Sequence, residues 1–355
     1  MSARRLVIDL ASPRAAWRIP KSRVTEIRNA LGAGAGAGAG AGWDVVEIAA
    51  PAVSDGDGAY GSGSPEAIAA ARGAEIYVGY GLPKGVAEAG RDTLRWVHSG
   101  TAGIGGSIPH VAGTKIVLTN SAGVHAEPMA DWVIAAIGYF VRGIDRMLSA
   151  QRQGRWAKED FTDGAIPMRE FRDLRLGVFG LGGIGNAVAR RALALGMSVS
   201  GVRRRPEKGG PPRSRVSWVG KLTDLPKLAA GSDVLVIAAP HTNETAGAVD
   251  RTVLERLPLH AIVVNVSRGS LLDETALLEL LEQRRLLGAA LDVFGTEPLP
   301  ADHPFWRHPR VLVSPHVSAV TTGFWERETA LIVENIKRYL EGAPLTNVVD
   351  LEAGY

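Results

Sequence analysis

Residues 176–206 read LGVFGLGGIGNAVARRALALGMSVSGVRRRP, and this stretch decides the fold. Leu176–Phe179 is a short apolar run of strand type. It breaks at Gly180-Leu181-Gly182-Gly183-Ile184-Gly185, and Val188, Ala189, Ala192, Leu193 and Leu195 then recur at helical spacing until Gly196 supplies a stop. Ser198–Val202 predicts a second strand. Strand, GxGxxG, helix, strand is the context of a dinucleotide-binding turn. The first glycine turns tightly, the second admits a pyrophosphate, and the third lets helix and strand pack closely. The helix N-terminus offers amide donors and a positive dipole end to the phosphates. In a chain with 43 glycines the motif alone means little, and its context is what predicts the site.

The residues directly after the second strand predict the type of dinucleotide. An NAD site places Asp or Glu there to accept hydrogen bonds from the ribose hydroxyl. This chain has Arg203-Arg204-Arg205 instead. A carboxylate repels a 2′-phosphate, whereas guanidinium groups bind it through paired, charge-assisted hydrogen bonds. The prediction is NADP, with NAD as the weaker alternative. The competing reading is a solvated basic turn, because Lys208, Arg213 and Arg215 continue the run in a Pro/Gly-rich loop.

The chain has 355 residues, enough for two domains or one large one, and 46% hydrophobic with 22% charged residues is ordinary for a globular protein. A net charge of +3 with scattered arginines predicts no nucleic-acid partner. The absence of cysteine removes disulfides, thiol nucleophiles and Cys-ligated metals, and no metal site is predicted. The start, MSARRLVIDL, lacks the apolar core of a signal peptide, and no apolar run reaches the length of a membrane span. The expectation is a soluble cytoplasmic protein with no membrane partner.

Outward from the fingerprint, strands and helices alternate. Before it, strands are predicted at Leu6–Leu10, Val45–Ile48, Glu75–Gly79, Leu94–His98 and Lys115–Thr119, and helices at Lys21–Leu31 and Pro65–Arg72, which makes a parallel α/β sheet. Gly32–Gly42 is a strict Gly-Ala alternation with little to bury, read as a flexible lengthened turn. The loop Ser99–Gly106 comes after a strand end, where small residues either present amides to an anionic substrate or simply turn. Asn120–Gly123 reads as a hinge. Glu127–Trp156 reads as one long helix, broken near Gly154 and apolar on almost every side in its first half. Such a helix needs cover on every side, which predicts a homodimer built on it, against a central intrachain helix.

After the fingerprint, Val234–Ala238 runs into Pro240-His241-Thr242, Ala261–Val266 into Ser267-Arg268-Gly269, Ala289–Val293 into Phe294–Pro298, and Val311–Ser314 into Pro315-His316. Asp273 opens a helix with Leu277, Leu278 and Leu281 predicted to face inward, and the last helix is predicted at Phe324–Tyr339. Arg268, Glu297 and His316 therefore all lie just past strand ends on the side of the predicted cofactor.

These strand ends carry a recognisable set. VVNVSRGSLLDETALLELL, GAALDVFGTEPLP and VLVSPHVSAVT, in that order after the fingerprint, resemble the D-2-hydroxyacid dehydrogenase family, D-isomer-specific and NAD(P)-dependent, of glyoxylate/hydroxypyruvate reductase type. Upstream, VLTNSAGVHAEPMADWVIAAI looks like that family's hinge and dimer helix, and LRWVHSGTAGIG like its substrate loop. The resemblance implies α/β architecture with two Rossmann-like, doubly wound domains on parallel sheets. A flavodoxin-like substrate domain would comprise residues 1–121 and 318–355, and an inserted NAD(P)-binding domain residues 122–317. It implies Arg268, Glu297 and His316 as the catalytic set and Thr101, Ala102, Gly103, Arg268 and His316 as substrate contacts. Cofactor contacts would come from Gly180, Leu181, Gly182, Gly183, Ile184, Gly185, Arg203, Arg204, Arg205, Ala239, Pro240, Thr245, Val266, Ser267, Arg268, Asp292, His316 and Ser318, with His241 nearby.

The chemistry supports those roles independently. Reducing a 2-oxo acid requires a cation for the carboxylate and carbonyl, a proton donor for the developing alkoxide, and a hydride from the nicotinamide. Arg268 suits the first through its fixed fork of donors. His316 suits the second, and Glu297 would orient its ring and favour its protonated form. The bland readings are an Arg in a surface ion pair, a satisfied polar His and a Glu-Pro turn. The remaining histidines, His98, His110, His125, His260, His303 and His308, read as structural. Asp131 and Gly105 depart from residues common in the family, Glu and Asp respectively. The predicted substrate is a small 2-oxo acid or 2-hydroxy acid. Formate- or phosphite-type hydride removal and a dinucleotide-sensing binding protein stay as alternatives, whereas a hydrolase lacks both a GxSxG elbow and a cysteine.

Overall fold

The computed structural model describes residues 4–33, 42–52, 54–55, 58–59, 61–163, 168–210 and 216–352. Most of the Gly-Ala alternation, part of the loop before Ser64, and Arg213 and Arg215 lie outside the described residues. The chain divides into two compact units, Met1–His125 with Val320–Tyr355, and Ala126–Ala319.

The first unit carries β1 (Arg4–Asp9), β2 (Trp43–Glu47), the short antiparallel pair β3 (Ser54–Asp55) and β4 (Gly58–Ala59), then β5 (Ile76–Gly79), β6 (Trp96–Ser99) and β7 (Val117–Asn120). Its sheet runs β2-β1-β5-β6-β7 with every pairing parallel. A parallel sheet is covered on both faces, so its strands read as continuous apolar runs. In β1, Leu6 and Ile8 feed one core and Val7 the opposite one, all three fully buried. The helices α1 (Lys21–Ala33), α2 (Pro65–Ala71), α3 (Lys84–Ala89) and α4 (Ile108–Val111) come in that order. In α2, Pro65 takes the first helical position and the Ser64 hydroxyl accepts the Ala67 amide at 3.0 Å, which starts the helix cleanly.

The second unit holds α5 (Ala126–Val141), α6 (Ile144–Arg152), α7 (Glu159–Thr162), β8 (Arg175–Phe179), α8 (Gly183–Ala194), β9 (Ser198–Val202), β10 (Trp218–Gly220), α9 (Leu225–Ala230), β11 (Val234–Ile237), α10 (Arg251–Glu255), β12 (Ala261–Asn265), α11 (Glu274–Glu282), β13 (Leu286–Leu291) and β14 (Val311–Val313). Its parallel sheet runs β10-β9-β8-β11-β12-β13-β14. Strand order reverses between β8 and β11, and ligands of doubly wound sheets bind at such a switch point, beyond the carboxyl ends of the strands. Both units are thus parallel α/β sheets of the predicted class. Edge strand β10 has no counterpart among the strands predicted from sequence.

Two local expectations are corrected. The predicted helix Glu127–Trp156 is two helices, interrupted at Arg142-Gly143, where Gly143 adopts φ 63° and releases the chain. One face of α5, including Ala130, Val133, Ile137 and Phe140, is buried in the core, while Trp132, Ile134 and Tyr139 are half-buried and Glu127, Asp131 and Ala135 are exposed. Within one chain, then, the helix is not covered on every side. In α11 the inward residues are Leu277, Leu280 and Leu281, and Leu278 is half-buried, because the helix turns its buried stripe by one residue.

The chain ends by returning to the first unit as α12 (Phe324–Leu340), whose buried stripe Phe324, Glu328, Ile332 and Ile336 repeats every fourth residue. Among the described residues, no helix is long and apolar enough to cross a membrane, and no cluster of side chains could hold a metal ion.

Candidate active site

The fingerprint turn is built by three glycines with different neighbours. Gly180 has φ 101°, its amide donates to the Val202 carbonyl at 2.9 Å, and a Cβ there would lie 2.5 Å from backbone atoms of Ala239. A Cβ at Gly185 would lie 2.0 Å from the Gly180 carbonyl oxygen, so only glycine lets α8 start this close to β8. Gly182 caps α8, and a Cβ there would meet nothing within 4 Å. Two glycines are thus required by the protein's own packing. Gly182, the second glycine of the motif, leaves open backbone at a helix N-terminus, which fits the phosphates of a dinucleotide. Leu181 is fully buried beneath the turn, and Ile184 is half-buried.

The arginine run comes directly after β9. The Arg203 amide donates to the Gly220 carbonyl of β10 at 2.9 Å, and its guanidinium donates to the Gly209 carbonyl at 2.8 Å, folding the Pro206–Lys208 turn against the strand end. Arg204 and Arg205 are exposed beside it. Beyond β11, Ala239 is buried, Pro240 is exposed, and the Thr245 hydroxyl donates to the Pro240 carbonyl at 2.6 Å. Beyond β12, Val266 is buried and the buried Ser267 hydroxyl donates to the Ala239 carbonyl, tying the two loops together. His241 is exposed.

Arg268 leaves β12 in extended conformation, half-buried, with its guanidinium donating to the Ser267 carbonyl at 2.8 Å. A Cβ at the next residue, Gly269, would lie 1.9 Å from the Phe294 carbonyl carbon, so the Arg268 turn and the Phe294–Glu297 turn are in direct backbone contact. Glu297 uses both oxygens: Oε1 accepts the Phe294 amide at 2.9 Å, and Oε2 lies 2.8 Å from His316 Nδ1. Among the described residues His316 Nε2 meets no partner, and the side chain is 40% exposed, which leaves the ring reachable.

Asp292 does more than its place in the sequence suggests. It is 1% exposed. Oδ1 accepts from the Ser314 hydroxyl at 2.6 Å and the Val317 amide at 2.8 Å, and Oδ2 from the Ser318 amide at 3.1 Å and hydroxyl at 2.5 Å. The residue expected to contact the cofactor is occupied in shaping the His316 turn, and Ser318 is part of that clamp. Ser314 is a further member that sequence reasoning does not find; a serine two residues before the histidine is its only signal.

In the first unit, the loop after β6 has a consistent polarity. The Thr101 carbonyl accepts the Ser121 amide at 3.2 Å, the Ala102 carbonyl accepts Asn120 Nδ2 at 3.0 Å, and the Gly103 carbonyl accepts the Thr101 hydroxyl at 2.6 Å. Among the described residues the amides of Thr101, Ala102 and Gly103 meet no acceptor. Three neighbouring amides without an acceptor among the described residues are donors of the kind an anion takes. Asn120 and Ser121, hinge residues by sequence, also hold this loop. His98, structural by sequence, is fully buried against Glu328, a charged residue on the apolar stripe of α12 whose spacing could have betrayed it.

The model of the D-isomer specific 2-hydroxyacid dehydrogenase NAD-binding domain matches residues 134–318, just over half of the chain. Over 244 residues the chain is 33% identical to glyoxylate/hydroxypyruvate reductase A of Photorhabdus laumondii subsp. laumondii, covering 69% of this chain and 74% of that one. It is also 33% identical over 256 residues to D-3-phosphoglycerate dehydrogenase of Archaeoglobus fulgidus, covering 71% and 47% respectively. A solved D-isomer specific 2-hydroxyacid dehydrogenase from Xanthobacter autotrophicus Py2, in complex with NADPH and MES, is similar over 100% of both chains, with a TM-score of 0.76 at 28% identity. The chain belongs to the D-isomer-specific 2-hydroxyacid dehydrogenase family, oxidoreductases that act on CH–OH groups with a nicotinamide dinucleotide.

Proposed function

We propose that this protein is an NADPH-dependent reductase of small 2-oxo acids, with glyoxylate or hydroxypyruvate as the natural size of substrate. The observation that carries it is the Glu297 carboxylate, which is fixed by the Phe294 amide and holds His316 by Nδ1, leaving Nε2 as a proton donor. When bound, the reduced nicotinamide supplies the hydride. His316 Nε2 gives its proton to the carbonyl oxygen as that oxygen gains charge, and takes it back in the reverse direction. Arg268 holds the carboxylate and polarises the carbonyl, and the Thr101, Ala102 and Gly103 amides add donors for the carboxylate.

NADP preference rests on Arg203, Arg204 and Arg205 in place of an acidic residue, and is in keeping with the NADPH bound to the Xanthobacter relative. The reductase A relative supports the substrate class. The half-buried Trp132 and Tyr139 on α5, with exposed Ile144 and Met147 on α6, support a homodimer through this pair of helices. The test is cofactor oxidation by the purified protein, with NADPH and NADH in parallel against 2-oxo acids from glyoxylate to bulky aromatic ones. Turnover with NADPH preferred is the expected result. Tight cofactor binding without reduction of any acid would overturn the assignment.

A further inference from the structure

Five buried side chains of the first unit form one connected line. Trp96 Nε1 donates to Thr119 Oγ1 at 2.9 Å, which lies 2.9 Å from His98 Nδ1; His98 Nε2 lies 3.0 Å from Glu328 Oε1. Ser121 Oγ completes the line, 2.9 Å from that same Glu328 oxygen. Trp96, His98, Thr119, Ser121 and Glu328 are all fully buried. A buried ionisable pair stabilises a fold no better than apolar packing of the same volume, so stability is a poor reason for this one. Its location is more telling.

The line ends at the anion-suited loop. Ser121 Oγ is also 2.9 Å from the Ser99 carbonyl, and its single hydrogen serves that carbonyl or Glu328, one at a time. The Ser121 amide holds the Thr101 carbonyl. The Gly100 amide donates to the Gly79 carbonyl at 2.7 Å, and a Cβ at Gly100 would sit 3.2 Å from Leu10 and 3.5 Å from Glu328 Oε1. The loop therefore rests on the Glu328 carboxylate. Ser121 and Glu328 are 207 positions apart in the chain, so a helix from the C-terminal end underpins a loop from the N-terminal half.

We propose that Ser121 and Glu328 are positioning residues for the substrate loop: they set the peptide planes of residues 99–103 so that the Thr101, Ala102 and Gly103 amides face outward to bind the substrate carboxylate. This rests on the reading of that loop as a substrate loop. Glu328 reaches the substrate only through Ser121 and the loop it supports.

The test uses full-length Ser121→Ala and Glu328→Gln. Each variant should raise the KM for the 2-oxo acid about tenfold, the worth of a lost hydrogen bond to a charged group, with the KM for NADPH within about twofold of wild type. Amide exchange at Gly100 and at position 121 should quicken, while exchange in the core of α12 stays unchanged. Should Glu328→Gln fail to fold, Ser121→Ala still decides, since it leaves the His98–Glu328 pair in place. Unchanged acid KM in a folded Ser121→Ala protein overturns the proposal, as does an equal loss for acid and NADPH. A wild-type protein that reduces no 2-oxo acid would overturn the proposed function instead, and exchange at Gly100 and position 121 would still decide whether these residues hold the loop.

Discussion

The His316 amide donates to the Asp292 carbonyl at 2.9 Å, and the Asp292 carboxylate takes the amides of the next two residues, so Asp292 holds the His316 peptide on both sides. His316 has φ 55°, a left-handed conformation that costs a non-glycine residue about 1 kcal/mol or more and persists only where its surroundings fix it. Asp292→Asn replaces one acceptor with a donor that faces other donors. It should destabilise the protein by roughly 1–3 kcal/mol and, by loosening His316, lower kcat roughly tenfold to a hundredfold. Thermal melting and steady-state kinetics check this; full kcat in the variant would mean the clamp serves stability alone.

His316→Asn removes the proton donor and leaves the fingerprint turn untouched. It should lower kcat by roughly 10²–10⁴. Glu297→Gln still accepts the Phe294 amide, so its loss should be smaller, about tenfold. A Glu297→Gln variant as damaged as His316→Asn would show that the carboxylate does more than orient the ring.

Arg203 holds the Gly209 carbonyl, so Arg203→Gln should free the turn as well as remove the phosphate contact proposed for it. Arg204 is exposed. Arg204→Gln should raise the KM for NADPH roughly tenfold, in line with a lost charge-assisted bond, and leave that for NADH unchanged. Parallel changes for both cofactors would make the run a surface turn.

The alternation of apolar runs and helical repeats makes both parallel sheets legible, since strands covered on both faces cannot hide their composition. GxGxxG and the residues after each strand end place Glu297 beside His316, because the carboxyl ends of adjacent strands converge at one edge of a parallel sheet. Less legible are contacts between side chains far apart in sequence. The Asp292 clamp needs a serine 22 positions away, and His98 meets Glu328 across 230. The break at Gly143 is hidden because apolar residues continue past it, and only the backbone angle marks the stop.

The half-covered face of α5 and α6 bears on assembly. Met147 is 45% exposed and Ile144 39%, on a helix whose neighbour α5 shows Trp132 and Tyr139 half-buried. Light scattering should give the wild type twice the 37.5 kDa chain mass. Met147→Glu, exposed in one chain, should shift the protein toward monomer with little loss of melting temperature. A wild type that runs as a monomer at micromolar concentration would sink the dimer.

Asp233 gives a pH dependence whose sign is set by its neighbours. It directly precedes β11, where its carboxylate accepts the Arg175 amide at 2.9 Å, Arg175 Nε at 2.9 Å and Nη2 at 3.1 Å, and Arg169 Nη1 at 3.3 Å. Burial pushes its pKa up, but these donors outweigh it and hold the carboxyl down at about 2 against the ordinary 3.8. The folded pKa lies below the unfolded one, so the unfolded chain binds more protons in between. The stability Asp233 contributes is complete above 3.8 and is lost as pH falls through about 2. Asp233→Asn should lower the melting temperature at neutral pH, by roughly 1–3 kcal/mol of stability. Below pH 3.8 the gap between variant and wild type should narrow, because protonation removes the same charge from the wild type. A gap that stays constant down to pH 2 would show that the Arg175 and Arg169 contacts do not depend on the Asp233 charge.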